Sequence, residues 1–63
     1  MKEMSIRNAV AVFQDELNGV NDVVLMLMIG EASKMKKSAK ETERCHGKLL
    51  MLQCERAAFE RGW

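Results

Sequence analysis

The chain has 63 residues, ten basic and nine acidic, with no proline, two cysteines, six methionines, two phenylalanines and one tryptophan. With 48% hydrophobic and 30% charged residues, it is too apolar to be disordered and too mixed to be collagen-like or a low-complexity tail. The length allows one domain over residues 1–63, with a thin core that calls for a staple or a partner subunit, and leaves little room for a catalytic pocket and its supporting shell.

Ser5 to Asn18 reads as a helix. Ile6, Ala9, Val10, Phe13 and Leu17 follow the i, i+3, i+4, i+7 spacing of one helical face. Ser5 can cap the first turn through its hydroxyl. Asn18-Gly19 is the stop, with Gly19 expected in the left-handed conformation that glycine adopts at little cost. The acidic pair Asp15 and Glu16 sits at the unfavourable end of the helix dipole.

Residues 23–29, Val-Val-Leu-Met-Leu-Met-Ile, are apolar throughout. As a helix they would extend the first one, because Ile6, Val10, Phe13, Leu17, Val20, Val24 and Leu27 alternate spacings of four and three in a heptad pattern. That reading puts Gly19 in a helix interior, at about 1 kcal/mol relative to alanine. As a strand they form a continuous apolar run with turn residues on each side: Asn18, Gly19, Asn21 and Asp22 before it, Gly30 after it. This punctuation on both sides favours the strand.

Glu31 to Arg61 reads as one long helix, rich in Ala, Lys, Glu, Leu, Met and Arg, with Gly62 as its stop. Met35, Ala39, Thr42, Cys45, His46, Leu49, Leu52 and Ala57 gather on one half of the wheel. Gly47 interrupts the pattern and marks a bend or a close crossing of another backbone. A helix of about 30 residues spans about 45 Å, too long for the rest of the chain to cover. The expected fold is therefore mainly α: helix, short strand and long helix in an intertwined homodimer. The strands would pair across a two-fold axis, with Val23, Val24, Leu25, Leu27 and Ile29 as the dimer core. An all-α helical hairpin dimer is the alternative.

Charge is unevenly placed. Residues 1–33 carry Lys2 and Arg7 against Glu3, Asp15, Glu16, Asp22 and Glu31, net −3, whereas residues 34–63 are net +4. Complementary halves favour packing within or between chains over a nucleic-acid surface. Lys34, Lys36, Lys37, Lys40, Arg44 and Lys48 would form a basic helix stripe, and Lys36, Lys37, Lys40 and Arg44 are its candidate nucleic-acid contacts. No aromatic residue interleaves for base stacking, so a solvated face is the preferred reading. Cys45, His46 and Cys54 are the only metal-ligand cluster of note. Nine residues on a helix turn through 900°, so Cys45 and Cys54 face opposite ways and cannot share an ion. No metal and no cofactor are expected. The longest apolar run is far short of the roughly 20 residues of a membrane span. Met1-Lys2-Glu3-Met4-Ser5 does not open a secretory signal, and a reduced cytoplasmic setting is expected.

Met26, Met28, Met35 and Met51 lie in or near the apolar segments. Methionine is flexible and polarizable, and it suits adaptable binding surfaces. Met35, Leu49, Leu52 and Phe59 are the candidate groove for a partner helix.

The opening Met1-Lys2-Glu3-Met4-Ser5-Ile6-Arg7-Asn8-Ala9-Val10 and the close Glu55-Arg56-Ala57-Ala58-Phe59-Glu60-Arg61-Gly62-Trp63 resemble the small early proteins of lambdoid temperate bacteriophages. In particular, the chain looks like a short open reading frame encoded between the exonuclease and excisionase genes. The resemblance covers the whole chain and rests on its length and two ends, not on a motif. It implies an early protein of lytic development acting on host physiology, a dimer of two helices and one strand per subunit, and no enzymatic activity. No functional residue carries over. The expected function is a non-enzymatic protein that binds a host regulatory or replication protein through an apolar groove. A DNA-binding dimer is the alternative.

Overall fold

The computed structural model describes residues 5–63; Met1 to Met4, used above for the signal reading and the resemblance, lie outside the described residues. Three helices follow one another: α1 (Ile6–Asn18), α2 (Asp22–Lys36) and α3 (Glu41–Glu60). α1 forms where its spacing predicts. Ser5 Oγ accepts from the Asn8 N–H at 3.1 Å and caps it. Its end differs from expectation. Gly19 has φ −98° and ψ −1°, a right-handed conformation, and its N–H bonds back to the Glu16 carbonyl at 3.1 Å. The left-handed cap occurs instead at Gly62, with φ 80°. There Gly62 N–H bonds to Phe59 O and Trp63 N–H to Ala58 O, each at 3.0 Å, the paired bonds of a Schellman stop.

The strand expected at 23–29 is replaced by helix: these residues lie inside α2, and the described residues contain no strand. The turn residue Asn21 starts the helix, with its Oδ1 accepting from the Val23 N–H at 2.8 Å. Asp22 in the first turn and Lys34 and Lys36 in the last complement the helix dipole. Leu and Met are strong helix formers, and a lone strand would have no partner in this chain. Gly30 is tolerated within the helix.

The single long helix expected over 31–61 is broken. Residues 31–36 finish α2, the chain turns over 37–40, and α3 begins at Glu41. A continuous helix would stack Lys36, Lys40, Arg44 and Lys48 at successive i, i+4 positions, where like charges repel. Ser38 offers the backbone an alternative. Its hydroxyl accepts from the Lys40 N–H at 3.1 Å and donates to the Glu43 carboxylate at 2.7 Å. Arg44 Nη1 donates to the Ser38 and Ala39 carbonyls, each at 3.0 Å, and closes the turn.

α3 is the hub of the fold, with α2 packed along it and α1 packed more sparsely. At Gly47 the α2 backbone crosses so closely that an added Cβ would lie 2.7 Å from the Lys36 nitrogen and 2.7 Å from Met35 Cβ. Leu17, Leu25, Cys54 and Ala57 form the core cluster, flanked by Val20, Met28, Ile29, Leu50 and Ala58. α1 is tied down by polar groups that the sequence reading did not single out. Gln53, buried on α3, donates from Nε2 to the Val10 carbonyl at 3.1 Å, and Gln14 Nε2 donates to the Gln53 carbonyl at 3.0 Å. Arg61 reaches back from the far end of α3. Its Nη1 meets Asp22 at 2.6 Å, and its Nη2 donates to the Leu17 and Asn18 carbonyls, the open end of α1.

Candidate functional site

α2 is apolar on both sides, and its helical turn decides which side faces where. A strand would have put Val23, Leu25, Leu27 and Ile29 on one face. At 100° per residue, Leu25 and Ile29 instead point to α3, and Val23 and Leu27 point away. Leu25 is fully buried and Ile29 partly buried in the chain's own core. Both therefore leave the dimer core read from the sequence. Val23, Val24 and Leu27 remain on the surface, joined by Met26, which that reading left out of the group. Leu27 is 66% and Met26 61% exposed. A helix that is apolar all round ordinarily has both faces covered. Among the described residues of this chain, nothing covers the outer one. No described helix is long and apolar enough to cross a membrane.

α3 carries a second uncovered face. Leu49, Leu52 and Phe59, three of the four candidate groove residues, are exposed there, Leu52 at 64% and Phe59 at 79%. With Cys45 and Arg56 they repeat at spacings of four, three, four and three along one side of the helix. Met35 does not join them. It is half-buried where α2 crosses Gly47, on the inner side of α3. Beside Leu52 lies a shallow cleft of about 360 Å³, lined by Lys36, Lys48, Met51, Leu52 and Glu55. A second cleft, about 440 Å³, lies between α1 and α3; Arg7, Arg56, Asp15 and Glu60 contribute balancing charges to its lining.

The basic residues no longer form a stripe on one helix. Lys36 ends α2, Lys37 caps it, Lys40 precedes α3, and Arg44 is held by the Ser38 and Ala39 carbonyls. The turn brings Lys36 and Lys48 to one cleft instead.

Cys45 is exposed and Cys54 buried, and both are free thiols on opposite sides of α3. Burial pushes the Cys54 thiol above its ordinary range, and the neighbouring Glu55 carboxylate adds to the shift. Cys54 is thus a core residue held protonated. Among the described residues, no three His, Cys, Asp or Glu side chains converge as a metal site would require.

The chain matches no family model, and no curated protein or solved structure matches it either.

Proposed function

We propose that this chain is a non-enzymatic interaction protein that works as a homodimer and captures a second protein on the apolar face of α3. One observation carries the reading. Two apolar stripes of described residues stand open to solvent: Val23, Met26 and Leu27 on α2 are 61–66% exposed, and Leu49, Leu52 and Phe59 on α3 are 43–79% exposed. Contiguous apolar surface left bare in this way marks interaction sites.

The two uncovered faces differ in chemistry, and that supports a division of labour. From Val23 to Gly30 the outer side of α2 carries no charge. Uncharged apolar surface is what self-association of permanent subunits uses. The α3 face mixes Leu49, Leu52 and Phe59 with Lys48, Glu55 and Arg56, the apolar centre and polar rim of a partner site. On the resemblance to lambdoid phage early proteins, the partner is a host regulatory or replication protein met during lytic development. The DNA-binding alternative keeps Lys36, Lys37 and Lys40 at one turn but loses Arg44 to the Ser38 and Ala39 carbonyls.

Two measurements test the proposal. Sedimentation equilibrium should give a dimer for the native chain and a monomer for Leu27→Glu; a native monomer at tens of micromolar refutes the self-association. Capture from bacterial lysate, with and without nuclease, should return a discrete protein that survives both nuclease and moderate salt. Recovery of nucleic acid that salt removes would transfer the function to the basic turn.

A further inference from the structure

Building on the interaction reading above, we infer that the cleft between Lys36 and Lys48 takes an acidic amphipathic helix of the partner protein, with an apolar side chain seated against Met51 and Leu52. The fold assembles this cleft from distant parts of the chain. On one straight helix Lys36 and Lys48 would stand about 18 Å apart. The turn at 37–40 and the close crossing at Gly47 set them on the same rim. Neither lysine is matched by a carboxylate: the ion pairs among the described residues are Lys34–Glu31 and Arg61–Asp22.

The floor selects the class of partner. Met51 and Leu52 offer apolar, adaptable contact, and exposed Leu49 continues that surface along α3. An amphipathic helix fills such a surface with residues at i, i+3, i+4 and i+7. Its carboxylates then meet Lys36 and Lys48, while Glu55 repels them from the opposite end and so sets the direction in which the helix lies. A nucleic-acid strand fits less well. Its phosphates gain nothing from Met51 and Leu52, Glu55 opposes them, and the cleft has no aromatic side chain on which a base could stack. A second copy of this chain is better served by the uncharged outer face of α2.

Zero-length coupling of amines to carboxylates tests the inference directly. The full chain is incubated with lysate, treated with carbodiimide, and the joined peptides are sequenced by mass spectrometry. The expected product joins Lys36 or Lys48 to an Asp or Glu in an amphipathic segment of net negative charge. The double variant K36E/K48E should lose that product and bind the captured partner at least tenfold more weakly; Leu52→Ser should weaken it as well. Circular dichroism on each variant confirms that the helices persist. Capture undiminished by K36E/K48E overturns the acidic-helix assignment and leaves the interaction reading standing. Coupling to a second copy of this chain, or recovery of nucleic acid in place of protein, also overturns it. No partner in either experiment removes both.

Discussion

Replacing Gly47 by alanine sets two effects of known sign against each other. In a helix interior the change ordinarily gains about 1 kcal/mol. Here the new methyl would lie 2.7 Å from the Lys36 nitrogen, 2.7 Å from Met35 Cβ and 2.9 Å from the Met35 carbonyl carbon. Ordinary contact needs about 3.5–4.0 Å, so α2 must retreat by about 1 Å along its crossing with α3. The obstacle is mostly backbone, which cannot swing aside as a side-chain tip can. Overpacking of this kind costs about 1–3 kcal/mol. The rigid neighbour places Gly47→Ala towards the top of that range, for a net loss of about 1–2 kcal/mol. In a domain this small, each kcal/mol lowers the melting temperature by about 4–8 °C. Urea and thermal unfolding followed by circular dichroism, at one fixed protein concentration, read the loss. Gly19→Ala is the control: its Cβ would meet only the Glu16 carbonyl oxygen, at 3.7 Å, and its φ of −98° suits alanine. It should gain about 0.4–1 kcal/mol by restricting the unfolded chain. A Gly47→Ala protein as stable as the native one would refute the close crossing. A destabilised Gly19→Ala would restore the left-handed cap expected from the sequence.

Three further outcomes follow from the same packing. Arg61→Ala removes the donors to the Leu17 and Asn18 carbonyls along with the Asp22 contact, and should lower the unfolding free energy by about 1–3 kcal/mol. Asp22→Ala, whose carboxylate is largely exposed, should cost less than about 1 kcal/mol in the same urea titration. Iodoacetamide should add one label to the native chain, at Cys45, and two after denaturation; rapid double labelling under native conditions would contradict the burial of Cys54. The raised Cys54 pKa also sets a pH dependence. The folded state keeps its proton where the unfolded thiol, with an ordinary value of 9.0, loses it, so this stabilisation is complete below pH 9 and declines as pH rises through the folded value. Cys54→Ala should flatten that part of the stability profile relative to the native chain.

How much of the fold could be read beforehand depended on whether each signal was local. α1 was legible because its cap, its apolar spacing and the position of its stop are all local, although the conformation of Gly19 was not. Gly47 was legible as either a bend or a close crossing, since a glycine amid strong helix formers asks for a reason, and the packing of α2 selects the crossing. The break at 37–40 was not. No proline or glycine marks it, and its cause is cooperative: stacked like charges on one side, and a Ser38–Glu43–Arg44 network that closes only once the turn exists. Gln53 escaped notice because a glutamine on a helix is usually solvated, and only the placement of α1 gives it the Val10 carbonyl. Leu49, Leu52 and Phe59 do share one side of α3, although the helix-wheel face read from the sequence held Leu49 and Leu52 without Phe59. The partnership of Lys36 with Lys48 needed the turn.

Residues 23–29 are helix and not strand, yet the demand that a strand would have made survives the change. Seven consecutive apolar residues have no periodicity, so a strand buried on both sides and a helix apolar all round give the same pattern. Asn21 decides between them by capping, but its other role, as a turn former, argues for either. Both structures nevertheless make the same demand: two apolar sides must be covered. Within α2, Leu25 and Ala32 are buried by the rest of the chain, and Val23, Met26 and Leu27 are not. The helix therefore changes which residues need a second molecule, from Val23, Val24, Leu25, Leu27 and Ile29 to one uncharged stripe of Val23, Val24, Met26 and Leu27, without removing the need. That makes Leu27→Glu the sharper probe and Leu25→Glu a different experiment. The first should separate subunits and leave each one folded; the second should unfold the chain, because a carboxylate at position 25 would be buried beside Leu17, Cys54 and Ala57 with no partner. If both variants lost their helices alike, the two faces of α2 would not be distinct, and the assignment of the outer one to self-association would fail with them.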